Sequence, residues 1–191
     1  MNYYPNWYAY QDPYYIGQPG YNNGYGMSRN VQMPGRQITT DLGPNPLVID
    51  ISDETENNKL FRKALWTGKY LQLTVMSINR GEDIGLEMHP DIDQFIRIEE
   101  GQGIVRMGDS PNNLSAERVV YDDYAILIPA GTWHNLVNIG DKPLKLYSIY
   151  SPPSHPFGTV HETKQEAMEQ EKNMQASARF NEGFQNPYGH W

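Results

Sequence analysis

An all-β chain is predicted: an antiparallel jelly-roll barrel with a flexible N-terminal arm and a short C-terminal helix, within 191 residues. Short apolar runs rich in Val, Ile, Leu and Tyr recur between Leu47 and Ser151, each about as long as an ordinary strand. Glycine and asparagine separate them at Gly81, Gly101, Gly108, Asn112, Asn113, Gly131 and Gly140. No helical period intervenes, which points to a closed antiparallel sandwich or barrel and not to alternating strands and helices.

Taken in chain order, residues 1 to 37 are dominated by Tyr, Asn, Gly, Pro and Gln, and Asp12 and Arg29 are the charged residues before position 31. A segment so poor in aliphatic side chains cannot repay its ordering entropy alone, so a flexible arm is expected. Its aromatic residues, among them Tyr3, Tyr4, Trp7, Tyr8 and Tyr10, can stack on one another or on a partner. The barrel is expected over 38–158. Its candidate strands are Leu47–Ile51, Leu60–Trp66, Leu71–Ile78, Gly85–His89, Gln94–Glu99, Gly103–Met107, Glu117–Tyr121, Ala125–Ile128, Thr132–Asn138 and Leu144–Tyr150. The third part, 159–191, opens on a capping-box signal, Thr163 with Glu166 three positions on. Ala167, Met168, Met174 and Ala178 fall near one stripe of a helix that ends before Gly183, and an aromatic tail follows.

Composition narrows the classes of function. A formal charge of -8 argues against nucleic acid and against an anionic membrane surface as partners. With no cysteine there are neither disulfides nor thiolate ligands. No apolar run is long enough for a membrane span, and the polar, tyrosine-rich start lacks the pattern of a secretion signal.

Chemistry concentrates in two stretches about forty residues apart. The first carries Glu87, His89 and Gln94, the second His134. Glu87 and His89 are two apart, so on an extended strand both side chains leave one face and can share a metal ion. Pro90 biases His89 toward extended geometry. Gln94 has the wrong parity relative to His89 unless Pro90 to Asp93 turn the chain, and His134 must arrive from another strand. A carboxylate, two imidazoles and a carboxamide suit a divalent first-row ion, with iron, manganese, nickel and zinc all compatible.

The two stretches resemble the conserved boxes of the cupin superfamily. Gly81, Glu87, His89, Gln94 and Gly101 fit the register of the first box, with Glu87 where a histidine is usual and Gln94 where a glutamate is usual. Pro129, Gly131, His134 and Asn138 match the second, and Asp123 replaces its opening glycine. The resemblance covers roughly residues 45 to 155. It implies a jelly-roll barrel, a metal site made of Glu87, His89, Gln94 and His134, and the turn that brings Gln94 to the others. Plainer readings apply elsewhere: Asp91 and Asp93 as a solvated turn, Asn138 and Gly131 as structural, His155 and His161 as loop packing, Tyr147 and Tyr150 as core or interface.

Two functions follow as expectations. One is a metal-dependent enzyme acting on a sugar or carbonyl compound, since the chain is similar to short bacterial proteins of the mannose-6-phosphate isomerase-like kind; Glu87, where not a ligand, is its candidate base, and an oxygenase is the near variant. The other is an assembly protein in which the barrel is a scaffold and the tails, which resemble tyrosine- and glycine-rich spore-coat segments, join subunits into a homo-oligomer. The first expects a small-molecule ligand and a cytoplasmic address, the second a spore surface.

Overall fold

The computed structural model describes residues 37–173; the tyrosine-rich arm up to residue 36, the helix end expected before Gly183 and the aromatic tail lie outside the described residues. A short helix, α1 (Ile51–Asn57), precedes nine strands: β1 (Arg62–Thr67), β2 (Gln72–Ile78), β3 (Asp93–Glu100), β4 (Gln102–Gly108), β5 (Ala116–Tyr121), β6 (Ala125–Ile128), β7 (Trp133–Asn138), β8 (Leu144–Ser151) and β9 (Val160–His161). They form two antiparallel sheets, β6-β3-β8-β2-β1-β9 and β5-β4-β7. Residues 164–173 are helical. The jelly-roll expectation is met.

Strand parity decides what faces inward. In β8 the inward set is Leu144, Leu146, Ser148 and Tyr150, and their partners on β2 are Ile78, Met76, Thr74 and Gln72. On β3, Gln94, Ile96 and Ile98 stand opposite Tyr150, Ser148 and Leu146. The interior is therefore graded along the strands. One end is aliphatic, with Ile78, Ile98, Leu136, Leu144 and Leu146 fully buried. Each such side chain contributes about 1.5–3 kcal/mol. The other end is polar.

The larger sheet is also covered outside. Glu54 of α1 is fully buried, takes the Ile38 N–H at 2.9 Å and lies 4.0 Å from Lys63 Nζ. Lys145 Nζ donates to the Asn58 carbonyl. This cover explains why consecutive residues of β1, Arg62 to Leu65, are all buried.

Two expected strands are absent. Leu47–Ile51 ends in a helix start, because the Asp50 carboxylate accepts the Asp53 N–H at 3.2 Å and caps α1. Gly85–His89 is not a strand but a segment held to β7 at isolated bridges, Asp83 to Val137 and Glu87 to His134. Gly85 has φ 99°, which breaks the extended run.

The C-terminal segment is tied to the barrel. β9 pairs with β1, placing His161 opposite Arg62. Thr163 caps this helix, its Oγ1 taking the Glu166 N–H at 3.2 Å, while Glu166 Oε2 reaches back to the Glu162 N–H at 2.7 Å, one residue before the N–H that a capping box uses. Ala167 is buried in the same core as Phe61 and Ile84, and Lys164 meets Asp83 at 2.7 Å.

Two turn residues explain the motif glycines and their replacement. Gly101 has φ 102°, and a Cβ there would lie 3.2 Å from Leu144 Cα. Asp123, in the place of a glycine, adopts φ 68°, a left-handed conformation that aspartate tolerates better than most residues. Its carboxylate also receives Arg97.

Candidate metal centre

Glu87 and His134 face each other in a bridge that exchanges both backbone hydrogen bonds, Glu87 N–H to His134 O at 3.0 Å and His134 N–H to Glu87 O at 2.9 Å. Directly opposed residues project to the same side. His89 lies two positions on, and its carbonyl is held by the Gly131 N–H at 2.7 Å. The turn at Pro129 to Gly131 thus fixes both imidazoles to one neighbourhood.

The side chains converge. Glu87 Oε1 lies 3.3 Å from His134 Nε2 and 3.6 Å from His89 Nε2. One ligand atom from each of the three residues falls within 4.8 Å of the others. Metal bonds of about 2.1 Å subtend donor separations of roughly 3.0 to 3.4 Å at octahedral to tetrahedral angles, which the two contacts to Glu87 approach.

Hydrogen bonding fits that use. His134 Nδ1 lies 2.9 Å from the Thr132 carbonyl, which can only accept, so Nδ1 carries a proton and Nε2 is the nitrogen turned to Glu87. A lone pair aimed at a carboxylate oxygen is repulsive unless a cation or a proton lies between them. His89 Nε2 is buried with no hydrogen-bond partner. Burial alone would raise the Glu87 pKa, but the adjacent His134 and His89 and the charge of Arg62 outweigh it, holding the carboxyl well below its usual range. The donor set fits a divalent ion.

Gln94 is 4% exposed, and its amide donates to Ser148 Oγ at 3.0 Å, leaving Oε1 buried and without a partner. It sits across from Tyr150, whose ring is 5.8 Å from that of His89. Asn138 takes the structural role expected of it. Its amide donates to the Ile78 and Lys142 carbonyls at 2.9 and 2.7 Å and its oxygen accepts the Gly140 N–H at 2.9 Å. Asp93 staples the turn by accepting the Ala130 N–H at 2.9 Å.

Residues outside the two boxes complete the polar end. Arg62 is 1% exposed, and Tyr150, also 1% exposed, stacks edge-on against His155 with ring centroids 5.1 Å apart. Burial pushes the Tyr150 phenol up to about 12, with Arg62 opposing and Glu87 assisting. Burial and then the Arg62 charge push His155 down to about 3, so it is a neutral imidazole at neutral pH. His161 Nε2 is hydrogen-bonded with Gln170. Sequence reasoning left His155 and His161 as loop packing and Tyr150 as core or interface, and it passed over Arg62. The one available signal was parity, since Tyr150 shares a face with Leu146 and Leu144.

The family model "Cupin domain" matches residues 74–150. The uncharacterized protein YrkC of Bacillus subtilis is 50% identical over 181 residues, covering 86% of this chain and 97% of that protein. The chain belongs to the cupin superfamily. An uncharacterized protein of Acanthamoeba polyphaga mimivirus is 42% identical over 114 residues, covering 59% of this chain and 69% of the relative. The crystal structure of BH2720 from Bacillus halodurans superposes with TM-score 0.68 at 65% identity, covering 68% of this cupin and 98% of the other chain. No helix among the described residues of the cupin is long and apolar enough to cross a membrane.

Proposed function

We propose that this cupin is a metal-dependent protein in which Glu87, His89 and His134 hold a divalent first-row ion, with Gln94 Oε1 as a fourth donor, and that it acts on a small sugar or carbonyl compound in the manner of an isomerase. The observation that carries the reading is the meeting of two imidazole nitrogens on one carboxylate oxygen, at 3.3 and 3.6 Å, with the His134 proton committed to a backbone carbonyl. Such an arrangement needs a proton or a cation at its centre, and a divalent ion satisfies both imidazoles and the carboxylate at once.

When bound, the ion supplies Lewis-acid polarisation of a carbonyl or hydroxyl oxygen. Glu87, the candidate base of the sequence, is then occupied as a ligand, and a lone pair shared with a cation is less available to a substrate proton. Tyr150 keeps a neutral phenol beside His89, with ring centroids 5.8 Å apart. The aliphatic half of the barrel keeps bulk water from the inner wall. Iron, manganese, nickel and zinc are all compatible with the donor set.

The reading is tested by titrating chelator-treated protein with each ion in a calorimeter. The expected result is one equivalent bound by the wild type, a raised melting temperature, and loss of both in Glu87→Ala and His134→Ala. Equal uptake by wild type and both variants would refute it. Interconversion of aldose and ketose phosphates by the loaded protein then tests the reaction class.

A further inference from the structure

We infer that the polar end of the barrel contains an anion-binding subsite centred on Arg62, so that the ligand of this protein is a small organic oxyanion, a carboxylate or a phosphate ester, whose charged end meets the guanidinium. The assignment of the ligand's other end to Glu87, His89 and His134 rests on the metal-dependent reading; the Arg62 subsite itself does not.

Arg62 is 1% exposed, yet its one described ion pair is to Glu171 Oε1 at 3.3 Å, and the Glu171 side chain is 44% exposed. On another edge of the guanidinium, Nε is buried and has no acceptor. A buried charge is stable only when well paired, and a single long contact to a half-solvated carboxylate leaves this one short of partners. Three more buried polar atoms nearby are equally orphaned: Thr74 Oγ1, His155 Nε2 and His161 Nδ1. Thr74 is fully buried and His161 is 4% exposed.

These groups come from different elements that meet at the polar end of the barrel. His161 stands opposite Arg62 in the β1–β9 pair. Thr74 faces inward two residues from Met76, the β2 partner of Arg62. Arg62 and His161 both act electrostatically on His155, as do Glu87 and His89. The subsite therefore adjoins the candidate metal centre, with the Tyr150 ring between His89 at 5.8 Å and His155 at 5.1 Å.

Charge selects the occupant. A divalent ion and Arg62 against Glu87 and the half-exposed Glu171 leave the interior net positive, and a neutral sugar would leave Arg62 with the half-solvated Glu171 as its counter-charge. A carboxylate or phosphoryl oxygen can accept from Arg62 Nε, and Thr74 and the histidines offer further hydrogen bonds. Glu171, delivered by the C-terminal helix, is the internal carboxylate that holds the guanidinium without a ligand.

The test measures melting temperature and calorimetric binding with glycolate, glycerol phosphate and neutral glycerol at millimolar concentration. The full chain is used, both metal-loaded and chelator-treated. Stabilisation is expected from glycolate, glycerol phosphate or both, which identifies the oxyanion, and none from glycerol. Arg62→Met and Arg62→Gln are expected to weaken binding about tenfold or more while keeping the wild-type metal content. Glu171→Gln is expected to tighten it several-fold, which also guards against an Arg62 variant that fails to fold. A response that persists in metal-free protein and vanishes in Arg62→Met supports the subsite even if no metal is ever taken up. No response to either anion, an equal response to glycerol, or undiminished binding in the Arg62 variants overturns the inference.

Discussion

Acidification should destabilise this protein through His155 before it protonates the carboxylates. The folded state holds the imidazole down to about 3, from 6.5, by burial and then by the Arg62 charge. A depressed folded-state pKa means that the unfolded chain binds the proton first. The stabilisation is therefore whole above pH 6.5 and is lost as pH falls from there toward 3. One bound proton corresponds to about 1.4 kcal/mol per pH unit, so lowering the pH from 7.5 to 5.0 should cost roughly 2 kcal/mol. For a chain of this size that is a fall in Tm of about 4–8 °C. Glu87 contributes in the same direction but only below its unfolded value of 4.5, so the two windows separate. The assay is a thermal melt of metal-free wild type and His155→Gln at both pH values. The variant should lose most of the acid-induced drop, and an equal drop in both proteins would refute the assignment.

Further outcomes follow from single residues. Asn138→Ala removes three hydrogen bonds and leaves the Ile78 carbonyl unsatisfied in the core; a loss of about 2–4 kcal/mol is expected from chemical denaturation. Gly101→Ala combines a positive φ with close approach to Leu144 and should cost more than about 1 kcal/mol, whereas Asp123→Gly, at φ 68°, should change stability by less than that in the same measurement. Gln94→Glu adds a second carboxylate at the free Oε1 and should tighten divalent-metal binding about tenfold or more by calorimetry, with the Ser148 contact as its cost.

The sheet framework was legible because inward and outward residues alternate in β3 and β7. Glu87, His89 and His134 were legible from spacing, although they meet through a bridged segment and not through the strand that parity suggested. The apolar residues Leu47, Val48 and Ile49 imitate a strand, but Asp50 supplies a helix cap and Val48 is left 87% exposed. Arg62 was illegible for a different reason. A cation in a run such as Arg62 to Leu65 normally snorkels to solvent, and here the cover of α1 and the residue 37–43 segment on one face and the barrel on the other bury both Arg62 and Lys63. Local sequence carries no mark of a cover that arrives from elsewhere in the chain.

The central claim is tested most directly by an anomalous difference map, at the absorption edge of the bound ion, from crystals of metal-saturated protein. The account requires one peak at about 2.0–2.3 Å from Glu87 Oε1, His89 Nε2 and His134 Nε2. A map without that peak, with the two imidazoles hydrogen-bonded directly to the Glu87 carboxylate, would contradict it.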